Sequence, residues 1–408
     1  MKIVLLTGLL VLATLAACGG GPTIIPFPTP TPAPETPTPL ASPLPSPSPS
    51  STAALLPGRP ILYFGGETVQ GTRQFVTRGV YVNGQPWVPG LPASGAAWSP
   101  AGTRLAFVDA ANPEILYVLV RTGASPPVFG VGDKERLVPW PAWAPDGIRA
   151  AVLIRRDGNP APPASLAVIA IPASQLLFRT DLPAETVRLP GRRHSLNAFH
   201  WSADGQRILL AWENAVVLDT RDGKISPITP DFAIAEWAAG GDAVLYFTVE
   251  GASLGGFYRQ SLDGSQAVEL ASREQVAALG LRLMEESYGL MHLSPDRQRL
   301  AMAFGTERPG VSAVRIYEAA TCASDITQTC SDLAKPLATY STAGVIAALE
   351  WAPDGTALAV VAVLTEGAAL QVLDLGTGLW RSPLPGAILQ TDELPVLGYI
   401  RALSWGGG

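Results

Sequence analysis

Apolar residues in this chain fall into short runs, many alternating with polar positions, and turn-forming residues break the runs again and again. That period puts successive side chains on opposite faces of a strand, so a mostly β protein is expected. One phrase recurs at the start of these strands. Trp98-Ser99-Pro100-Ala101-Gly102 leads into Leu105-Ala106-Phe107, and it returns as Trp143-Ala144-Pro145-Asp146-Gly147, Trp201-Ser202-Ala203-Asp204-Gly205, Trp237-Ala238-Ala239-Gly240-Gly241 and Trp351-Ala352-Pro353-Asp354-Gly355. Leu293-Ser294-Pro295-Asp296-Arg297 is a degenerate copy, and Ser404-Trp405-Gly406 a truncated one. The phrase reads as a hairpin: proline presets φ at the first turn position, aspartate caps the turn, and glycine takes positive φ.

A third strand follows each hairpin, as in Ile115–Val120 or Ala369–Asp374, and a further turn such as Asp222-Gly223 or Asp263-Gly264 leads to a fourth. Anchor-to-anchor spacings run from 36 residues (Trp201 to Trp237) to 58 (Trp143 to Trp201). Four-stranded units of this length, repeated radially, are propeller blades. The fold class expected is therefore all-β, a seven-bladed β-propeller of four-stranded antiparallel blades, with six blades as the alternative. The count of seven rests on the ends. Ala402–Trp405 reads as an innermost strand without a successor, and Pro60–Phe64 as a second strand without a predecessor. Pairing them closes the ring and hides both open edges. Residues 271–287 carry helical spacing and predict an inserted helix between blades.

The Trp-Ser-Pro-Asp-Gly-x-x-Leu-Ala-Phe phrase resembles the WD40-like (PD40-type) repeat of the TolB propeller and of propeller domains in prolyl-oligopeptidase-type enzymes. The resemblance covers about residues 59–408. It implies a propeller fold and a TolB-like role as an envelope scaffold contacting other lipoproteins. The α/β domain that precedes the propeller in TolB, and the hydrolase domain that carries catalysis in the peptidases, have no expected counterpart in this chain.

Upstream of the repeats the pattern changes twice. Lys2 precedes an apolar stretch, Ile3–Leu15, too short to span a bilayer and ending in Leu15-Ala16-Ala17-Cys18. That order resembles the lipobox of bacterial lipoproteins, so residues 1–18 are expected to be a signal peptide with Cys18 the lipidated residue. Acyl chains there would anchor the protein to the membrane. Residues 19–57 follow, with proline at nearly every second position in stretches such as Pro28-Thr29-Pro30-Thr31-Pro32. Such a segment favours polyproline II and buries little, making it a tether able to reach on the order of 100 Å. Residues 58–408 form the propeller.

Composition narrows the function. Hydrophobic residues make up 47% of the chain, enough for a sizeable core, and 41 glycines with 39 prolines argue against a helical fold. A formal net charge of −6 without a basic run argues against nucleic acid as a partner. The three cysteines leave Cys322 and Cys330 after Cys18, and a disulfide closing that small loop suits an exported protein. No metal or cofactor is expected.

Candidate chemistry is sparse. In a propeller the short Pro-Asp-Gly and Asp-Gly turns share one face, while the long charged connections emerge on the other. The latter carry Asp133, Lys134, Glu135, Arg136, Arg155, Arg156, Arg192, Arg193, His194, Glu307, Arg308, Asp392 and Glu393. Function concentrates on such loops, so this is the expected binding face. Arg155 and Arg156 are placed to converge with Arg192, Arg193 and His194 on an anionic group, because guanidinium forks pair carboxylates and phosphates bidentately. The structural reading is a solvated charged rim. Gly251-Ala252-Ser253-Leu254-Gly255 matches the nucleophile pattern G-x-S-x-G but joins two strands of one blade, where the required strand-turn-helix elbow cannot form. His194, His200 and His292 lie far apart in sequence, the latter two on expected innermost strands, and read as core or channel residues. The repeat anchors Trp98, Trp143, Trp201, Trp237, Leu293, Trp351 and Trp405 are structural. The reading that results is a monomeric, non-enzymatic, surface-anchored module outside the cytoplasm, binding a protein or peptide in the envelope. A substrate-binding or sensor lipoprotein holding a small molecule or glycan in the funnel is the alternative, and a propeller hydrolase or lyase the third.

Overall fold

The structure is a computed structural model that describes residues 61–68, 75–82, 85–89, 93–109, 112–120, 127–138, 141–156, 164–183, 198–211, 214–229, 233–250, 253–283, 290–319, 333, 335–364, 367–381, 388–389 and 404–405. Cys18, the tether, Arg192, Arg193, His194, Cys322, Cys330, Asp392 and Glu393 lie outside them.

The described strands form seven antiparallel sheets. In the first, Gln85–Pro89, Phe75–Val82 and Ile61–Thr68 meander inward, and the innermost place is taken by Ser404–Trp405. The join is a backbone pairing of Ile61 with Trp405 and Leu62 with Ser404. Four of the remaining sheets place their strands in chain order from inside to outside, beginning with Ala93–Trp98, Ala198–Trp201, Ala233–Trp237 and Leu290–Leu293. A fifth, beginning with Val345–Trp351, adds a short strand at Ile388–Leu389. In the third sheet along the chain the innermost position is divided between Glu135–Leu137 and Ala142–Trp143, both paired with Arg149–Arg156. Pro139 and Pro141 fall between the two pieces in sequence, and a proline cannot donate to a ladder.

The innermost strands touch one another in a closed circuit. Ala93–Trp98 meets Ala142–Trp143, contacts then pass through Ala198–Trp201, Ala233–Trp237, Leu290–Leu293 and Val345–Trp351 to Ser404–Trp405, and that strand returns to Ala93–Trp98. This is a propeller, and the expected union of the two ends of the repeat region is what completes the ring.

The core lies between facing sheets. Leu153, Leu166 and Val168 of the third sheet pack against Ile208, Leu210 and Val216 of the fourth, and Phe247 and Phe257 of the fifth pack with Met302 and Phe304 of the sixth. Phe247 stacks on Phe257 at 4.4 Å and meets Phe304 edge-on at 5.4 Å. Burying an aromatic of this kind stabilises by about 1.5–3 kcal/mol, which is why aromatic and β-branched residues fill these strands.

The repeated turn has the geometry its sequence demands. Gly147 N–H donates to the Ala144 carbonyl at 2.9 Å, and the Asp146 carboxylate accepts from Ile148 N–H at 2.9 Å. Gly102, Gly147, Gly205, Gly241 and Gly355 all hold φ between +63° and +71°, and Arg297 takes the same place at +60° in the degenerate copy. A short helix, Arg273–Ala278, lies within the stretch of helical spacing, opened by a capping box between Ser272 and Gln275.

Candidate functional site in the channel

The anchors stitch sheet to sheet. Trp143 Nε1 donates to the Ala97 carbonyl at 2.8 Å, Trp201 Nε1 to Ala142 at 2.9 Å, Trp237 Nε1 to His200 at 3.0 Å and Trp351 Nε1 to His292 at 2.9 Å. Each acceptor is the residue just before the previous sheet's own anchor. Tryptophan suits the position because it buries a large apolar body while its one N–H satisfies a carbonyl at the crossing.

The position before the anchor therefore recurs around the channel. Occupied in turn by Ala97, Ala142, His200, Glu236, His292 and Glu350, it changes from alanine to alternating histidine and glutamate over four successive sheets. Ala97, Ala142, His200, His292 and Glu350 line a cavity of about 640 Å³. Pro100, Pro145, Pro295 and Pro353, from the repeated turns, line the same cavity, so it lies toward the short-turn end of the channel.

At its wall His200 and His292 converge on Glu236, which is buried behind them. One donor atom from each lies within 4.8 Å of the others. His200 Nδ1 is 3.0 Å from Glu236 Oε2, and the two imidazoles are 5.0 Å apart at 60°. The Glu236 carboxylate is buried and held in place, Oε1 accepting from Trp237 N–H at 2.7 Å and Oε2 from Leu293 N–H at 3.3 Å. Leu293 is the internal anchor that is not tryptophan. It sends no indole back to its neighbour, and its backbone N–H meets the Glu236 side chain instead. Arg297 turns back toward the same sheet, its Nη1 donating to the Ala239 carbonyl at 2.9 Å. Burial pulls the Arg297 guanidinium below its ordinary value, and the Glu236 and Asp204 carboxylates partly offset this.

On the opposite face, Arg192, Arg193 and His194 of the expected anion site lie outside the described residues, and Arg156 is engaged within its own sheet. Arg156 Nε lies 2.9 Å from Glu135 Oε1 and its Nη2 3.4 Å from Asp181 Oδ1, while Arg179 donates to both Glu135 oxygens at 2.5 and 3.1 Å. Two cations and two anions thus neutralise one another across three strands of one sheet, and the Arg179 and Arg156 hydrogen bonds bring the Glu135 pKa down to about 2. Arg155 sits across the ladder from Arg136, a like-charged pair. Glu307 lies 3.6 Å from Arg282 with both side chains largely exposed, and Arg308 follows it at the sharp connection before Val311. Asp133 and Lys134 lead into Glu135–Leu137, Lys134 at φ +67°. Ser253 of the G-x-S-x-G string pairs with Glu250 at a hairpin end, which supplies no nucleophile elbow.

The two channel histidines, distant in sequence, are neighbours in space, and the glutamates beside them escaped the sequence reading. The signal was there: all four precede an anchor directly, so aligning the repeats on their tryptophans puts them in register. Four of the copies also carry an arginine two residues after the turn glycine or its replacement. Arg104 and Arg299 use it to reach the Gly147 and Gly355 carbonyls of the next sheet, at 3.2 and 2.8 Å.

No family model matches the chain, and no curated protein sequence matches it. Among solved structures it is similar to an oligogalacturonate lyase in complex with manganese (TM-score 0.50, 13% identity, 79% of this chain and 84% of the other). It is likewise similar to an oligogalacturonate lyase from Vibrio parahaemolyticus (0.50, 10%, 77% and 91%) and to TolB from Acinetobacter baumannii (0.39, 14%, 77% and 77%). At such identities the likeness is one of fold, a β-propeller. Among the described residues no helix is long and apolar enough to cross a membrane.

Proposed function

We propose that this protein is a non-enzymatic binding module of the cell envelope, anchored through a lipidated Cys18, which receives an extended segment of a partner polypeptide at the short-turn mouth of its propeller. The supporting observation is the cavity of about 640 Å³ with a proline rim and four polar side chains, Ser99, His200, His292 and Glu350, among apolar and aromatic neighbours. Concave, mostly apolar sites with a few convergent polar groups are where proteins bind ligands. The working surface in this reading is the short-turn mouth. On the long-loop face, the strongest cluster of charges among the described residues is already internally paired.

A photo-crosslinking side chain placed at Pro145, and separately at Arg308, tests this in intact cells. Polypeptide adducts from Pro145 and none from Arg308 support the reading. Adducts from Arg308 alone transfer the interface to the long-loop face and overturn it. The size of the cavity also suits a sugar or small molecule, and thermal stabilisation by glycans but not by peptides would favour that second reading.

A further inference from the structure

The structure assigns a divalent transition-metal site to His200, Glu236 and His292, with Zn²⁺ the ion the ligand set suits best. The inference goes beyond the binding role above and stands whether or not a peptide enters the channel. Three residues from three consecutive sheets bring two imidazoles and one carboxylate to a single point, with one donor atom of each within 4.8 Å of the others. In a tetrahedral zinc site with bonds of about 2.1 Å, ligand atoms stand about 3.4 Å apart. The 3.0 Å separation of His200 Nδ1 from Glu236 Oε2 is already of that order.

The chemistry of the set is selective. Imidazole nitrogen suits zinc and its first-row neighbours and serves calcium and magnesium poorly, since those ions take oxygen. Orientation is built in as well. The two backbone N–H groups of Trp237 and Leu293 fix the Glu236 carboxylate, the kind of outer hydrogen bonding that preorganises metal ligands. Both histidines line the cavity while Glu236 is buried behind them. Three protein ligands leave the fourth position toward the channel, where an incoming carboxylate, imidazole or water can bind. The competing account is a simple hydrogen-bonded pair of His200 with Glu236, which needs no ion.

The test uses the full chain, purified after export and stripped with a chelator. Zn²⁺ is titrated against a chromophoric competitor and bound metal is measured by mass spectrometry. Co²⁺ is the spectroscopic probe. One Zn²⁺ per chain is expected, unaffected by millimolar Ca²⁺ or Mg²⁺, with Co²⁺ giving the visible bands of a low-coordinate nitrogen–oxygen site. His292→Ala, a channel-lining change, is expected to weaken Zn²⁺ on the order of 100-fold or more. Glu236→Gln, close in shape, serves as a second variant, and circular dichroism checks the fold of both. Absence of stoichiometric Zn²⁺ in the wild type overturns the assignment. So does Zn²⁺ binding that both variants leave intact, which would put the ion elsewhere, for example at the cysteines.

Discussion

At the scale of single residues, the ring is held by atoms that cross from one sheet to the next. Trp201 is 8% exposed and its indole N–H satisfies the Ala142 carbonyl. Trp201→Phe keeps most of the apolar body but leaves that carbonyl without its donor, so a loss of about 1–3 kcal/mol is expected in urea unfolding. Gly355 sits at φ +69°, and a Cβ there would lie 3.0 Å from the Arg299 guanidinium that donates to its carbonyl. Gly355→Ala is expected to cost about 1–2 kcal/mol for the left-handed conformation alone, with a matching fall in Tm. The glycine effect could be anticipated from sequence, since the turn phrase states its own backbone requirements. The partners of each tryptophan could not, because a carbonyl acceptor on the neighbouring sheet leaves no mark on residue identity.

At the scale of the element, the third sheet carries its own electrostatic clasp. Hydrogen bonds from Arg179 and Arg156 hold the Glu135 pKa at about 2, below its ordinary 4.5. A carboxylate depressed in this way adds stability that is fully present above about pH 4.5 and is lost as the pH falls toward 2. Glu135→Gln is therefore expected to lower Tm at neutral pH and to flatten the acid limb, the two profiles converging near pH 2. Parallel profiles separated by a constant gap would refute this. In sequence Glu135 and Arg156 read as charges on long connections, whereas the structure sets them at strand ends of one sheet, facing each other. Arg179 belongs to a separate outer strand, and nothing in local spacing announces that its guanidinium folds over Glu135. The helix was more legible: Ser272 with Gln275 three residues on is a signal readable without coordinates, although the described helix spans only part of the stretch with helical spacing.

For the whole molecule, repetition made the architecture readable. Each copy of the turn phrase carries its own hairpin instructions, and the unpaired strands at the two ends of the repeat region implied their mutual pairing. The channel chemistry was less accessible, since His200, Glu236 and His292 become neighbours only when successive copies are wrapped around one axis. Removing Ser404–Gly408 strips the innermost strand from the first sheet and exposes the edge of Ile61–Thr68. The truncated chain is expected to unfold at lower urea and to elute as larger species, because an open edge invites pairing with other chains. A monomeric product of unchanged stability would mean the junction carries little of the fold.

That same junction sets a schedule. Every other sheet draws its strands from one continuous stretch of polypeptide, whereas the first remains one strand short until Ser404 and Trp405 have arrived. Pairings this remote in sequence form slowly. Until that strand arrives, the edge of Ile61–Thr68 stays bare, and a chaperone or a second chain has it to pair with.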